Sequence, residues 1–309
     1  MSKSLVLVFH KEENAMMFER VILALKSRYK LVSVEELEEL VIHKKMVKNI
    51  CHISFDDGDR SFYKVVYPLL LKHQVPVSLF VSPEIISAES NFWFQDLNLY
   101  DSDKMKELVS RSLGIPFEKI RKFLIFSIFK CLTSTGITKL LNEYKHEMNF
   151  EYSAPQNMNA KELLEVEKSG MVTIGAHTMH HPVLKNEDDI QCFYEIGQSI
   201  KELETLLGHS IKYFAYPNGR PGIDFDYREM NCLRENNITM AFSTELDHLS
   251  SSTDPLSIPR MSFARMGLLP SNAFVSLRME MGKNWINIKS IGKPSEKKVR
   301  EKIFTILNP

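Results

Sequence analysis

The sequence predicts an α/β fold built on a largely parallel sheet, closed or strongly curved into a barrel. Short apolar runs rich in Val, Ile and Phe alternate with longer segments of helical period, the pattern of repeated strand and helix units. Six or seven such runs occur, and that many parallel strands suit a barrel or a strongly curved sheet. A pair of carboxylates, Asp56 and Asp57, directly follows one of these runs, at the strand end where α/β folds keep their chemistry.

The expected strands are residues 4–9, 50–55, 77–81, 171–175, 212–215, 240–243 and 256–259. Between them, residues 14–29 and 61–73 carry helical apolar spacing. Ser33 with Glu36 and Asn159 with Glu162 read as capping boxes that open helices, and Gly170 is placed to stop the second. Over residues 188–207, Ile190, Phe193, Gly197, Ile200, Leu203 and Leu207 form one stripe of a helix. Residues 90–156 break the alternation, with helical material and no convincing strand, and predict a helical insertion carried on a loop. From Gly282 onward seven Lys and Arg stand against two Glu, which marks a basic extension. The domain expectation is therefore a catalytic domain over 1–285, with its insertion at about 90–156, followed by a basic extension over 286–309. A length of 309 residues is compatible with a single barrel carrying an insertion.

Composition excludes more than it selects. Lys plus Arg equals Asp plus Glu at 39 each, so the overall charge calls for no nucleic acid. Cys51, Cys131, Cys192 and Cys232 are scattered without a C-x-x-C pattern and are expected to be reduced. The first residues run straight into a short apolar strand with no small-residue cleavage site, so a cytoplasmic location is expected. The longest apolar candidate, residues 123–129, falls well short of the roughly 20 residues of a membrane span. Residues 119–130 mix Phe, Leu and Ile with Lys and Arg, and with Phe92-Trp93-Phe94 they fit a lid, a sugar-stacking platform or a membrane-surface helix. Packing on the barrel is the plainer alternative.

Three motifs can carry chemistry: Ser54-Phe55-Asp56-Asp57-Gly58, His177-Thr178-Met179-His180-His181 and Phe214-Ala215-Tyr216-Pro217-Asn218-Gly219. Two imidazoles at i and i+4, His177 and His181, with the Asp57 carboxylate give three ligands and leave a zinc-like ion one open position. His180 competes with His181 for the second place. Extended backbone points Asp56 and Asp57 to opposite sides, so one can bind an ion while the other acts as a base. Read alone, residues 56–59 also fit a polar turn, and the histidines a surface loop.

Together the motifs resemble those of the polysaccharide deacetylase family, the NodB-homology or carbohydrate esterase family four. Its T-F-D-D-G stands here as Ser54-Phe55-Asp56-Asp57-Gly58, its H-[ST]-x-x-H as His177 to His181, and its F-R-x-P-x-G as Phe214 to Gly219. The resemblance implies a distorted (β/α) barrel of about seven strands with a helical insertion. It also implies metal-dependent removal of an acetyl group from an N-acetylated sugar, an oligosaccharide or a lipid-linked glycan, with Zn2+ the expected divalent metal. By position it makes Asp56 the general base and Asp57, His177 and His181 the metal ligands, with Thr178 orienting the loop and the Asn218 amide holding the oxyanion. Tyr216 and Pro217 are expected to line the substrate.

Two departures follow. The arginine of the third motif is Ala215 here, and Arg260, at the end of a later strand, is expected to take its place beside Asp56. The late histidine motif that supplies a general acid is missing, and His10, at the end of the first strand, is the better-placed substitute, with His248 a weaker one. An O-acetyl esterase or other amidase with the same site, or an inactive carbohydrate-binding relative, are the alternative functions. A peripheral membrane contact is a further expectation.

Overall fold

The computed structural model describes residues 3–45, 48–150, 153–262 and 295–308. Among these, the chain runs β1 (Leu5–Phe9), α1 (Ala15–Lys26), β2 (Lys30–Leu31), α2 (Val34–Ile42), β3 (Ile50–Asp56), α3 (Tyr67–His73), β4 (Val77–Val81) and α4 (Pro83–Ser87). Five helices follow without an intervening strand: α5 (Trp93–Leu97), α6 (Ser102–Leu113), α7 (Phe117–Ile120), α8 (Ile125–Phe129) and α9 (Ser134–Glu147). The alternation then resumes with α10 (Ala160–Lys168), β5 (Val172–Ala176), α11 (Asp189–Leu207), β6 (Tyr213–Ala215), α12 (Tyr227–Glu235), β7 (Met240–Phe242) and β8 (Met261–Ser262). The last described helix is α13 (Glu296–Leu307).

The sheet order is β7-β6-β5-β4-β3-β1-β8, all parallel, with the short β2 added to β3. Ile258 bridges to Phe242 of β7 while Met261 pairs with Leu7 of β1, so one short segment ties the two edges together. This is the expected distorted (β/α) barrel. Parallel strands covered on both faces read as continuous apolar runs, which is why they are visible in sequence.

The side-chain period of two divides each strand between two cores. Leu5, Leu7, Cys51, Ile53, Phe55, Val77 and Leu79 pack outward against the helices. Val6, Phe80, Tyr213, Ala215, Met240 and Phe242 fill the inner side. The helical insertion has a core of its own, from Trp93 through Tyr144, joined by Ile303 of α13. Both expected capping boxes are present, at Ser33 with Glu36 and at Asn159 with Glu162. Gly170 adopts a φ of +70° just after α10. All four cysteines are buried and free.

Two expectations are corrected. Residues 256–259 are not a strand: Pro255–Ser257 is a 3-10 turn and pairing moves to Met261–Ser262. Pro259 deprives this run of a ladder donor and Pro255 opens the 3-10 turn before it, and within the run Ile258 alone bridges to a strand. On α11 the buried face is Cys192, Glu195, Ile196, Ser199, Ile200 and Leu203, while Ile190 is 84% and Phe193 45% exposed. A buried carboxylate, Glu195, sets that rotation. Of the expected basic extension, residues 286–294 and 309 lie outside the described residues. No helix among the described residues is long and apolar enough to cross a membrane.

Candidate active site

Strand β3 supplies the first half of the site. Its inner face carries His52, Ser54 and Asp56 in alternation, all buried, and Asp56 is its last residue. A buried carboxylate needs compensating charge. Arg260, fully buried, provides it: Nη1 donates to Asp56 Oδ1 at 2.7 Å and Nη2 to Oδ2 at 2.8 Å. Its Nε donates to the Ser243 carbonyl at 3.0 Å and Nη1 also to the Ser54 hydroxyl at 3.2 Å. The guanidinium lies 5.7 Å from the Phe80 ring centroid and 5.8 Å from that of Phe242. Burial alone would raise the Asp56 carboxyl; the Arg260 charge, aided by His177 and His10, outweighs it and holds the group at about 2.

The next residue leaves the strand abruptly. Asp57 has a φ of 73° and Gly58 one of 72°, so the second carboxylate turns away from the first. A left-handed aspartate is a strained choice that its surroundings must impose. The same conformation recurs at Thr178, His181 and Asn218, with φ of 65°, 58° and 61°. Four motif residues thus share a backbone state that L side chains rarely adopt, as functional sites often do.

Asp57, His177 and His181 converge although they come from β3 and from the loop after β5. Both imidazole Nε2 atoms stand 3.6 Å from Asp57 Oδ1. All three side chains are buried, yet Asp57 Oδ1 and His181 Nδ1 have no hydrogen-bond partner. Three inward-facing ligand atoms lie within 4.8 Å of one another. In a tetrahedral site with bonds of about 2.0–2.2 Å, ligand atoms stand roughly 3.3–3.6 Å apart, so the spacing fits a cation such as zinc. Electrostatics agree: burial raises the Asp57 carboxyl, against the pull of His10 and His177, while burial and then His177 push His181 well below its ordinary value. A His181 imidazole held neutral keeps its lone pair, and a carboxylate that burial disfavours gains from a cation beside it.

The two histidines are held from behind. His177 Nδ1 lies 2.6 Å from the Ala215 carbonyl, the acceptor that fixes which nitrogen faces Asp57. The Thr178 hydroxyl bonds the His177 carbonyl at 2.5 Å and accepts the His181 amide at 3.0 Å. Glu195, fully buried on α11, accepts the Met179 and His180 amides at 3.0 Å each and faces His180 Nδ1 at 2.8 Å. That bond takes up His180 and leaves His181 to meet Asp57. The Trp93 indole of the insertion donates to the His181 carbonyl at 3.0 Å, and the Phe94 ring meets the His181 ring edge at 5.0 Å. Glu195 is missed by the sequence reading, and Trp93, read there with Phe92 and Phe94 as a lid, a sugar platform or a membrane-surface element, holds the histidine loop. The one available signal is an acidic residue on the inward face of a helix beside the histidine loop.

The third motif splits. Asn218 and Gly219 form a left-handed pair on the same rim, and the Asn218 carbonyl accepts the Thr244 hydroxyl at 2.5 Å. A Cβ on Gly219 would lie 2.8 Å from the Tyr216 carbonyl, so the turn requires glycine. Tyr216 and Pro217, expected against substrate, are buried instead. The Tyr216 ring stacks on Phe225 at 3.6 Å and its hydroxyl bonds the Leu256 carbonyl at 3.0 Å. An aromatic after a parallel strand fills the core when a second ring lies in reach. His10 continues β1 one residue past the Phe9 and Phe55 pair, half exposed, with Nε2 4.0 Å from Asp56 Oδ2.

Residues 126–240 match the family model for polysaccharide deacetylase, a stretch that holds the second and third motifs. The first motif lies outside it in sequence, but Asp57 joins both histidines in space. The similarity to polysaccharide deacetylases in sequence is carried by residues 126–240. Solved structures share its barrel. The Streptococcus pyogenes deacetylase PplD in complex with acetate superposes with a TM-score of 0.59 at 18% identity, covering 90% of this chain and 98% of its own. IcaB from Ammonifex degensii gives 0.60 at 16%, covering 91% and 98%. A de-N-acetylase from Aggregatibacter actinomycetemcomitans gives 0.54 at 14%, covering 89% and 99%. No curated protein matches in sequence. At these identities the chain shares with these structures a fold.

Proposed function

We propose that the chain is a metal-dependent deacetylase that hydrolyses the acetamido group of an N-acetylated sugar in a polysaccharide or glycolipid precursor, with zinc as its ion. One observation carries this: three buried side chains, of which Asp57 and His181 keep an unpartnered polar atom, converge beside a separate ionised carboxylate. Asp57, His177 and His181 would hold the cation, and two nitrogens with one oxygen suit zinc. Bound there, such an ion acidifies water and polarises the amide carbonyl.

The protein groups divide the remaining work. Asp56 accepts a hydrogen bond from the attacking water and aims it at the carbonyl carbon. Held at about 2, it stays ionised near neutral pH but is a weak base, so orientation is the larger part of its role. Arg260 positions Asp56 and does not touch the substrate. The Asn218 N–H donates to the oxygen as negative charge develops, the kind of preorganised donor that contributes a few kcal/mol. As the oxygen of water bonds the carbonyl carbon its proton passes to Asp56; the carbon–nitrogen bond then breaks with its electron pair on nitrogen, the nitrogen takes up a proton and acetate departs. His10, with Nε2 4.0 Å from Asp56 Oδ2, stands where it can deliver that proton.

Acetate release from an N-acetylglucosamine oligomer tests the reading. Release is expected with zinc and not after chelation or in Asp57→Ala. Turnover that survives both treatments, or release from O-acetyl esters alone, would contradict it.

A further inference from the structure

The helical insertion carries a second feature, remote from the motifs. A groove of about 730 Å³ opens between α8 with its preceding turn and α13. Its lining combines Leu124 and Phe126 with Lys122, Lys130, Lys298 and Lys302. Leu124 is 75% exposed, and Phe123 lies half-buried beside it under the Lys122 ammonium, 5.3 Å from the ring centroid. The single acid in the lining, Glu296, is already engaged by Arg220 at 2.9 Å and Lys130 at 3.6 Å. In a chain with 39 basic and 39 acidic residues, this is a local concentration of positive charge around exposed apolar side chains.

The patch is coupled to the site. Phe129, on the buried side of α8, stacks on Trp93 with ring centroids 6.1 Å apart, and Trp93 donates to the carbonyl of His181. One layer of rings therefore separates the amphipathic surface from the ligand loop.

We propose that this face docks on an anionic lipid bilayer, with Leu124, Phe123 and Phe126 entering the interface and Lys122, Lys298 and Lys302 meeting lipid phosphates. Charge complementarity selects this occupant: exposed apolar side chains beside lysines, of which Lys122, Lys298 and Lys302 have no ion-pair partner among the described residues, are how interfacial proteins hold anionic membranes. A purely apolar partner would leave the ammonium groups unmatched. Docking brings the histidine loop close to the membrane, so the N-acetylated sugar is one carried on a lipid. That corollary rests on the deacetylase reading, whereas the docking itself does not.

Sedimentation of the full chain with phosphatidylcholine vesicles, with and without phosphatidylglycerol, tests the docking without any turnover. Pelleting is expected only with phosphatidylglycerol and should weaken as salt rises. Lys122→Glu and Lys302→Glu should each lower the partition coefficient by about fivefold or more, and Leu124→Ser should lower it too, with thermal unfolding of all three unchanged. No pelleting, equal pelleting on phosphatidylcholine alone, or indifference to the three substitutions would overturn the proposal. So would light scattering in which the substitutions dissociate a dimer while vesicle binding is absent. For the corollary, wild type should turn over a vesicle-anchored N-acetyl sugar faster than the soluble one. Lys122→Glu should lose that advantage and keep the soluble rate; a vesicle rate unchanged in this variant would overturn the corollary.

Discussion

Arg260 holds Asp56 through two parallel bonds although 204 positions separate them. The third motif offers Ala215 where the family pattern has arginine, and its small side chain belongs to the inner core beside Phe242 and Ile258. The guanidinium arrives instead from the segment that ties β7 to β1. Closing the barrel and orienting the carboxylate are therefore one event: the residues that bridge Ile258 to β7 and pair Met261 with β1 place Arg260 between them.

Replacing Arg260 with Met leaves Asp56 buried without its partner. Removing one member of a buried ion pair costs about 3–5 kcal/mol. Denaturant unfolding should show a loss of that order, and acetate release should fall by roughly 100-fold or more as Asp56 loses its aim. Unchanged turnover would remove Arg260 from the site.

The pair also sets a pH dependence. The folded Asp56 carboxyl lies at about 2 against an ordinary 3.8, so it stabilises the fold above the higher value and loses that contribution as pH falls toward the lower. The shift corresponds to about 2 kcal/mol. Unfolding free energies of wild type and Asp56→Asn, compared from pH 6 downward, should converge by about that amount. A constant difference across this range would contradict the assignment.

Glu195 fixes the strained loop, so Glu195→Gln should loosen the histidines without emptying the core. Zinc affinity should drop about 10- to 100-fold, the usual effect of losing a group that supports a ligand. Calorimetric titration reads this directly. An affinity equal to wild type would show that the loop holds itself.

Gly175, on β5, tests the barrel packing. A Cβ there would come within 2.5 Å of two Phe80 ring carbons and 2.8 Å of the Tyr213 carbonyl. Gly175→Ala should cost at least about 1–3 kcal/mol through overpacking. It should also weaken activity, because Phe80 lies against Arg260.

Much of this was open to inspection in the sequence, for physical reasons. Buried parallel strands must be apolar throughout, so six of the seven expected runs fall on strands with ends shifted by at most one residue. Capping boxes are local chemistry, and both were legible. Residues 256–259 misled because an apolar run interrupted by proline does not reveal where pairing resumes. Tyr216 misled because motif position says nothing of the ring that will stack on it, here Phe225. The role of Glu195, and the bond from Trp93 to the histidine loop, were invisible for the complementary reason: each acts from an element whose rotation or docking is decided only by tertiary packing. The orphaned oxygen of Asp57 is likewise a property of the assembled site alone.

The most direct test is a zinc titration of the metal-stripped protein, followed by calorimetry and by thermal unfolding. Wild type should bind one ion per chain and gain thermal stability with zinc; Asp56→Asn should still bind, while Asp57→Ala and His177→Ala should neither bind nor gain. Stoichiometric binding that persists in Asp57→Ala and His177→Ala would contradict a cation held by Asp57, His177 and His181.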